Sequence, residues 1–337
     1  MDYLEISNRR YTGSKKALLN DIYESIAPYC KQGSIFADLF AGTGIVSHFM
    51  LKKGMNVITN DILRSNYIAH QAWFGHGNFD IKKLEVLISE FNLIHSDDLS
   101  DNYFSDIYGG KYFSISDAKK IGYIRERIAN IRLTEHERYI LLASLMYAAD
   151  KIANTVGHFE HFLSTPPIKK GVFLKLPLTE DFAGKAVVYN MDTNKLAPNI
   201  TCDVAYIDPP YNARQYINFY HVLENLVRWN KPTEFEGISM KFKRNELKSD
   251  YSRSKAPTVF KDLIDNLRAK LIVVSYNNTY SARSSASNNK ISENQLMNIL
   301  SSKGSVKIKE IDHKFFNSGK TSFKNHKEFL YICKPIT

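Results

Sequence analysis

Apolar and polar positions along the chain set out a βα rhythm that starts, breaks and resumes. Residues 17–28 carry apolar side chains at helical spacing and stop at Pro28. Ser34 to Phe40 is a short apolar run of the kind a buried strand shows, and Ala41-Gly42-Thr43-Gly44 follows as a tight turn. Ile45 to Lys53 reads as a helix closed by Gly54, and Asn56 to Asn60 as a second strand with Asp61 at its tip. Strand, turn, helix and strand in that order predict a parallel crossover, the opening of a doubly wound sheet.

From about Tyr67 to Gly184 the periodicity is helical, in runs that begin at Lys82, Ser116 and Glu135. Strand patterns resume at Ala186–Asn190, Val204–Asp208 and Leu271–Ser275, while Lys307–Ile311 and Phe329–Cys333 read as a closing antiparallel pair. Ordinary connections run to about 2–6 residues, so an insertion this long must be a helical subdomain of its own. The expected architecture is therefore α/β, doubly wound and mainly parallel. Residues 1–66 and 185–337 form one domain around a helical insertion at 67–184. The polar stretch 281–289 and the mixed-charge stretch 231–257 are expected to be mobile loops.

Charge changes this picture by suggesting a partner. Lys and Arg number 45 against 35 Asp and Glu among 337 residues, a net +10, and a polyanion such as nucleic acid is the simplest counterpart. Aromatic residues make up 12% of the chain and offer stacking surfaces, although most belong in a core. Cys30, Cys202 and Cys333 lie far apart with no CxxC pair and no Cys/His cluster at zinc spacing. That favours a reducing cytoplasm and no bound metal. The N-terminus lacks a signal-peptide core and no apolar run reaches membrane-spanning length, so a soluble cytoplasmic protein with no membrane partner is expected.

The most chemical stretch is Asp208-Pro209-Pro210-Tyr211, directly after the strand pattern at Val204. Proline fixes its own φ and restricts its predecessor, so the Asp208 carboxylate and the Pro209 carbonyl are acceptors that cannot drift. Two such acceptors suit the NH2 group of a flat base, and Tyr211 supplies a ring to stack on it. An aromatic amine is a poor nucleophile because its lone pair is delocalised. Acceptors on both its hydrogens favour a more tetrahedral nitrogen, and alignment with an electrophilic methyl donor then supplies much of the acceleration. Methylation at cytosine carbon 5 is disfavoured, because it needs a cysteine nucleophile and none of the three cysteines follows a proline. The bland alternative is a structural Pro-Pro turn at a strand end.

Upstream, the run Asp38, Leu39, Phe40, Ala41, Gly42, Thr43, Gly44 ends a strand and opens a helix. Glycines there let backbone pass close under a ligand. The run is neither a phosphate loop nor a complete GxGxxG fingerprint, and a cationic, amino-acid-tailed nucleoside suits it better than a pyrophosphate. Asp61 stands where an acidic residue would take ribose hydroxyls, the alternative being a plain strand-glycine-helix corner with a surface Asp.

In order, the run from Tyr11 to Lys15, the run from Asp38 to Gly44, Asp61, a helical insertion and Asp208–Tyr211 resemble the Dam-type (alpha-group) adenine-specific DNA methyltransferases. These include modification enzymes of restriction systems. The resemblance spans essentially the whole chain. It implies a seven-stranded S-adenosylmethionine-dependent methyltransferase fold whose insertion recognises the target. By matching position it implies that Tyr11 and Lys15, with Asp38 and Phe40, contact the cofactor. Gly42 and Gly44 lie under its methionine end, Asp61 holds its ribose, and Asp208 touches both cofactor and target amine. Asp192 is either a contact to the cofactor's adenine or a surface carboxylate. The segment from Asn154 through Phe159, His158 included, resembles the family's DNA-contacting stretch, with Arg125, Arg127, Arg132 and Lys151 around it in sequence, each either a DNA contact or part of a solvated helical face. Residues 212–224 resemble the segment that closes over the target, with Arg214, Gln215 and Tyr216 as candidates for orienting a flipped base. The Lys-rich stretch at 315–328 is expected to meet phosphates or to be simply solvated.

The implied activity is methylation of the adenine 6-amino group in duplex DNA by a monomer or weak dimer, with a cognate restriction endonuclease as a further partner. The rivals are cytosine 4-amino methylation, RNA adenine methylation and an inactive DNA-binding regulator.

Overall fold

The computed structural model of the protein describes residues 3–178, 180–279, 287–312 and 327–336. Most of the expected loop at 281–289 and of the Lys-rich stretch at 315–328 lies outside the described residues. The chain divides into two compact units. One holds Lys15–Ile62, Phe182–Tyr216 and Leu247–Thr337; the other holds Met1–Ser14, Leu63–Asp181 and Ile217–Glu246.

The first unit is built on a seven-stranded sheet. Its strands are β1 (Ile35–Asp38), β2 (Asn56–Asn60), β3 (Ala186–Tyr189), β4 (Thr201–Ile207), β5 (Arg268–Asn277), β6 (Gly304–Asp312) and β7 (Lys327–Pro335). They lie in the order β3-β2-β1-β4-β5-β7-β6. The pairings among β1 to β5 are parallel, and β7 pairs antiparallel with both β5 and β6. The expected doubly wound, mainly parallel sheet with a closing antiparallel pair is the one observed. Its central strands are covered on both faces, which is why Val204 to Ile207 is wholly buried.

Period-2 alternation builds the core. Ala205 and Ile207 on β4 share a face with Ile272 and Val274 on β5. They pack under Phe260, Leu263 and Ile264 of the helix Ala256–Asn266 and under Leu296 and Leu300 of the helix Glu293–Lys303. Each of the larger of these side chains, from valine upward, stabilises the fold by about 1.5–3 kcal/mol of burial. The chain winds from β1 outward through β2 and β3, then returns to β4 on the other side of β1. Asp38 sits opposite Tyr206 in that pairing, so the loops leaving β1 and β4 flank the topological switch point.

The second unit is helical: Arg64–Phe74, Ile81–Leu93, Tyr103–Tyr108, Ile115–Asn130 and Glu135–Ile152. The last of these has 14 of its 18 residues buried and serves as the unit's central post. It starts in a capping box, with Thr134 and Glu137 each satisfying the other's backbone N–H. The expected insertion at 67–184 supplies most of this unit, and two further stretches complete it. The N-terminal segment is tied in by Tyr147, whose hydroxyl donates to the Ile6 carbonyl at 3.0 Å, and by the Arg10 N–H, which donates to Asp150 at 2.9 Å. The helix Tyr216–Arg228 joins from Ile217 onward through Arg125, as described below.

The stretch 231–257 is not a loose loop. It forms a hairpin pairing Phe235–Glu236 with Lys241–Phe242, followed by 3-10 turns at Asn245–Leu247 and Asp250–Ser252. Its mixed charges conceal buried Phe242, Leu247 and Tyr251, and Arg244 is itself buried, donating to Asn218 at 2.8 Å and to Glu236 at 2.9 Å. Among the described residues no helix is long and apolar enough to cross a membrane, and no cluster of His, Cys, Asp and Glu could hold a metal ion.

Candidate active site

The glycine corner follows β1 directly. Leu39 N–H donates to the Tyr206 carbonyl at 3.1 Å and Ala41 N–H to the Asn60 carbonyl at 3.0 Å, which pins the corner to both neighbouring strands. Gly42 (φ 54°) and Gly44 (φ 82°) occupy left-handed conformations that a β-carbon would strain. The chain can therefore reverse into the helix Ile45–Lys52, and the backbone N–H of Gly42 donates to Asp61 Oδ2 at 2.9 Å. Two asparagines, neither singled out from the sequence, brace the tip of β2. Asn60 Nδ2 donates to the carbonyls of Leu39 and Met191, both at 3.2 Å, and Asn190 Nδ2 donates to the carbonyls of Asp61 at 2.8 Å and Ile62 at 3.0 Å.

Asp38 differs from its expected role as a cofactor contact. Its carboxylate is buried behind the corner, where it accepts the Ser47 hydroxyl at 2.7 Å. Burial pushes its pKa up to about 7; the Ser47 bond opposes that rise, while the charges of Asp208 and Asp61 add to it. Phe40 lies edge-on to Tyr251, with ring centroids 5.0 Å apart, and packs against the sheet core.

Asp208-Pro209-Pro210-Tyr211 leaves the end of β4 beside this corner. Lys15 Nζ lies 3.0 Å from Asp208 Oδ1, 3.2 Å from Glu328 Oε1 and 2.8 Å from the Tyr211 hydroxyl. An ammonium has three hydrogens, and here three oxygens receive them. The Tyr211 hydroxyl is also 2.5 Å from Asp208 Oδ1 and 2.6 Å from Glu328 Oε1. Among the described residues Asp208 Oδ2 takes no hydrogen bond. Tyr211 does more than the sequence assigns it: its hydroxyl ties the site together, and its ring packs 4.6 Å from that of Tyr276.

Burial pushes the Asp208 carboxyl above the usual range, with Lys15 opposing that rise and Glu328 reinforcing it. For Glu328 burial pushes the same way, but Lys15 and the bonds from Tyr211 and Ser275 outweigh it and hold the carboxyl below its usual range. Burial would lower Lys15, yet its two carboxylate partners leave it raised.

Glu328 is the residue of this site that sequence reasoning misses. The only signal is a lone acidic residue opening the apolar run of β7, and the pairing of β7 with β5 is what brings it beside Ser275.

The remaining predicted residues have identifiable structural places. Asp192 is exposed and caps the short helix Thr193–Leu196, accepting the N–H of Asn194 at 3.0 Å and of Lys195 at 3.2 Å. Arg214 is exposed and donates to Ser287 at 3.2 Å. Gln215 clamps Ser249, donating to its carbonyl at 3.0 Å and accepting its N–H at 2.7 Å, so its amide serves a loop rather than a base. Tyr216 is half-buried at the start of its helix.

In the helical unit, Tyr11 stacks on Tyr220 with centroids 4.7 Å apart and planes 4° from parallel, and the Arg9 guanidinium lies over both rings. Arg125 corrects the expectation of a DNA contact. It is buried, donates to the carbonyls of Leu226 at 2.7 Å and Val227 at 3.2 Å, and so caps the C-terminal end of the helix Tyr216–Arg228. Asn154 is likewise turned inward: its side-chain amide donates to the carbonyls of Lys111, Leu163 and Thr165. His158 is half-buried against the ring of Phe219. Arg127, Arg132 and Lys151 are exposed.

A doubly wound sheet of this strand order, with a glycine corner and an Asp-Pro-Pro-Tyr corner flanking its switch point, defines the seven-stranded methyltransferase fold. The chain belongs to the D12 class N6 adenine-specific DNA methyltransferase family, whose sequence model matches residues 11–317. It is 34% identical to Modification methylase StsI of Streptococcus sanguinis, over 93% of this chain and 50% of that protein. It is 31% identical to Type II methyltransferase M.NlaIII of Neisseria lactamica, over 96% and 98% respectively. It is 32% identical to Type II methyltransferase M.FokI of Planomicrobium okeanokoites, over 97% and 53%. The chain thus spans about half the length of the Streptococcus and Planomicrobium proteins and nearly all of the Neisseria one. The expected kinship with adenine-specific DNA methyltransferases is borne out at the level of the family.

Proposed function

We propose that this chain is a Dam-type (alpha-group) enzyme that moves a methyl group from S-adenosylmethionine to the 6-amino group of an adenine flipped out of duplex DNA. In this reading it is the modification enzyme of a restriction system. One observation carries the reading. Asp208 Oδ1 is tied down by Lys15 and Tyr211, while Oδ2 takes no hydrogen bond among the described residues. A carboxylate fixed through one oxygen is an orienting acceptor for an amine hydrogen through the other. The Pro209 carbonyl supplies the second acceptor, with its direction set by the prolines.

The residues also fit the cofactor. Asp61, Asp208 and Glu328 belong to this one unit, and Lys15 is the cation paired with two of them. An acidic surround of that kind favours a ligand carrying positive charge, as a sulfonium and an α-ammonium do. Asp61 would take ribose hydroxyls, and Gly42 and Gly44 leave room for the amino-acid tail. When bound, the cofactor supplies an electrophilic methyl group. Asp208 and Pro209 would hold the target nitrogen for attack on that methyl. The S–CH3 bond would break to release S-adenosylhomocysteine as the N–CH3 bond forms, the nitrogen would lose one proton to solvent, and proximity would do much of the rest.

The helical unit, with exposed Arg127, Arg132 and Lys151, is the reading surface for DNA in this proposal. Phosphate contacts offset the few kcal/mol that extruding a base costs, so binding should weaken steeply with salt. The test is transfer of labelled methyl from S-adenosylmethionine to duplex DNA, single-stranded DNA and RNA, followed by identification of the modified base. N6-methyladenine in duplex DNA, absent with Asp208→Ala, is the expected result. Label on cytosine, label confined to RNA, or full activity of Asp208→Ala would overturn the reading.

A further inference from the structure

Glu328 is 3% exposed and lies at the start of β7, opposite Asn277 of β5. A carboxylate that deep costs several kcal/mol unless it is paired and hydrogen-bonded. Its Oε1 accepts the Ser275 hydroxyl at 2.7 Å and the Lys15 ammonium at 3.2 Å, and lies 2.6 Å from the Tyr211 hydroxyl, whose single proton it shares with Asp208 Oδ1. Lys15, with three hydrogens, also holds Asp208 Oδ1, and the one Tyr211 proton lies between the two carboxylates, with the hydroxyl 2.5 Å from Asp208 Oδ1. Glu328 and Asp208 are thus two ends of one clamp, with the ammonium and the phenol shared between them.

We propose that Glu328 is a positioning residue for methyl transfer, fixing Lys15 and Tyr211 so that they hold Asp208 Oδ1 in one orientation and leave Oδ2 aimed outward. This rests on the activity proposed above. Without Glu328 the Lys15 ammonium loses one of its two carboxylate partners and is free to move, so Asp208 gains a range of rotamers. Ser275 then supports Glu328 from the neighbouring strand and needs no contact with Asp208 itself.

Charge gives the proposal a signature that mere packing would lack. The titratable groups facing Glu328 are Lys15, Asp208 and Tyr211, with Tyr206 and Asp38 behind them. Glu328's negative charge discourages ionisation of Asp208. Removing that charge should make Asp208 a stronger acid even as its orientation is lost.

The experiment compares the full-length wild type with Glu328→Gln on duplex DNA, measuring kcat, both KM values and the pH profile of kcat. The expected result is a kcat lower by about tenfold or more, as for loss of alignment, KM values within about twofold, and an acid limb moved to lower pH. Wild-type kcat, a loss carried in KM alone or an unmoved acid limb would overturn the proposal. Should Glu328→Gln fail to show a cooperative unfolding transition, Glu328→Asp, which keeps the charge and shortens the arm, decides. Reduced kcat with an unmoved acid limb supports the clamp, and wild-type kcat overturns it. Asp208→Ala separates the two levels: if it is inactive while Glu328→Gln behaves as wild type, only the positioning role falls. If Asp208→Ala is active, the proposed function itself falls.

Discussion

The backbone N–H of Gly42 donates to Asp61 Oδ2 over 2.9 Å, so the acid at the tip of β2 holds the corner that follows β1. That bond links the two parts of the proposed cofactor site. Asp61→Ala should raise KM for S-adenosylmethionine by about tenfold or more. It should also cost about 1–3 kcal/mol of stability, because a charge-assisted hydrogen bond is lost. Steady-state kinetics with varied cofactor and a urea titration would check both, and an unchanged KM would remove Asp61 from the site.

Asp208→Asn keeps the shape of the side chain but replaces one acceptor oxygen with a donor. A donor facing an amine hydrogen cannot orient it, so kcat should fall by about 10²–10³, the scale for losing one preorganised electrostatic group. DNA affinity should stay within a few-fold. Single-turnover kinetics beside a gel-shift titration would test this, and a parallel loss of both would point to misfolding instead.

Asp38 predicts a dependence of stability on pH. Its folded pKa, pushed up to about 7 by burial, lies above the ordinary aspartate value of 3.8. Between those values the folded protein keeps a proton that the unfolded chain has released, so stability falls as pH rises through the window and levels off above it. Asp38→Asn, which cannot ionise, should lose less stability between pH 4 and pH 7 than the wild type does. Urea midpoints measured across that range would reveal it, and equal slopes would refute it.

Arg125 and its exposed neighbours should separate cleanly. Arg125→Ala removes the cap at Leu226 and Val227 and empties a buried site, so it should lower stability by about 2–4 kcal/mol. The salt dependence of DNA binding should be almost untouched. Arg127→Ala or Lys151→Ala should leave stability within about 0.5 kcal/mol. Each of these two should reduce the slope of log K against log salt by about 1 if it meets a phosphate. Binding isotherms at several salt concentrations, with melting curves, distinguish the two kinds of arginine.

Much of this protein is local and therefore legible along the chain. The strands at 35–38, 56–60 and 201–207 follow from short apolar runs, and the glycine corner from a turn that needs left-handed residues at 42 and 44. Rigid prolines after β4 mark the chemistry because their constraint is covalent and needs no partner. These features also carry the family resemblance.

What the sequence could not determine depends on partners distant in the chain. Glu328 meets Lys15, more than three hundred positions away, only because β7 pairs with β5 and β5 with β4. Arg125 looks like any solvated arginine of an amphipathic helix until the end of another helix, about a hundred residues later, turns its last carbonyls toward it. Asn154 and Gln215 likewise carry side chains equally suited to a base or to a backbone, and the fold decides for backbone. Propensity and periodicity report what each residue does to its own segment. Which buried donor meets which acceptor is set by strand order and helix packing, and those are decided by the tertiary structure alone.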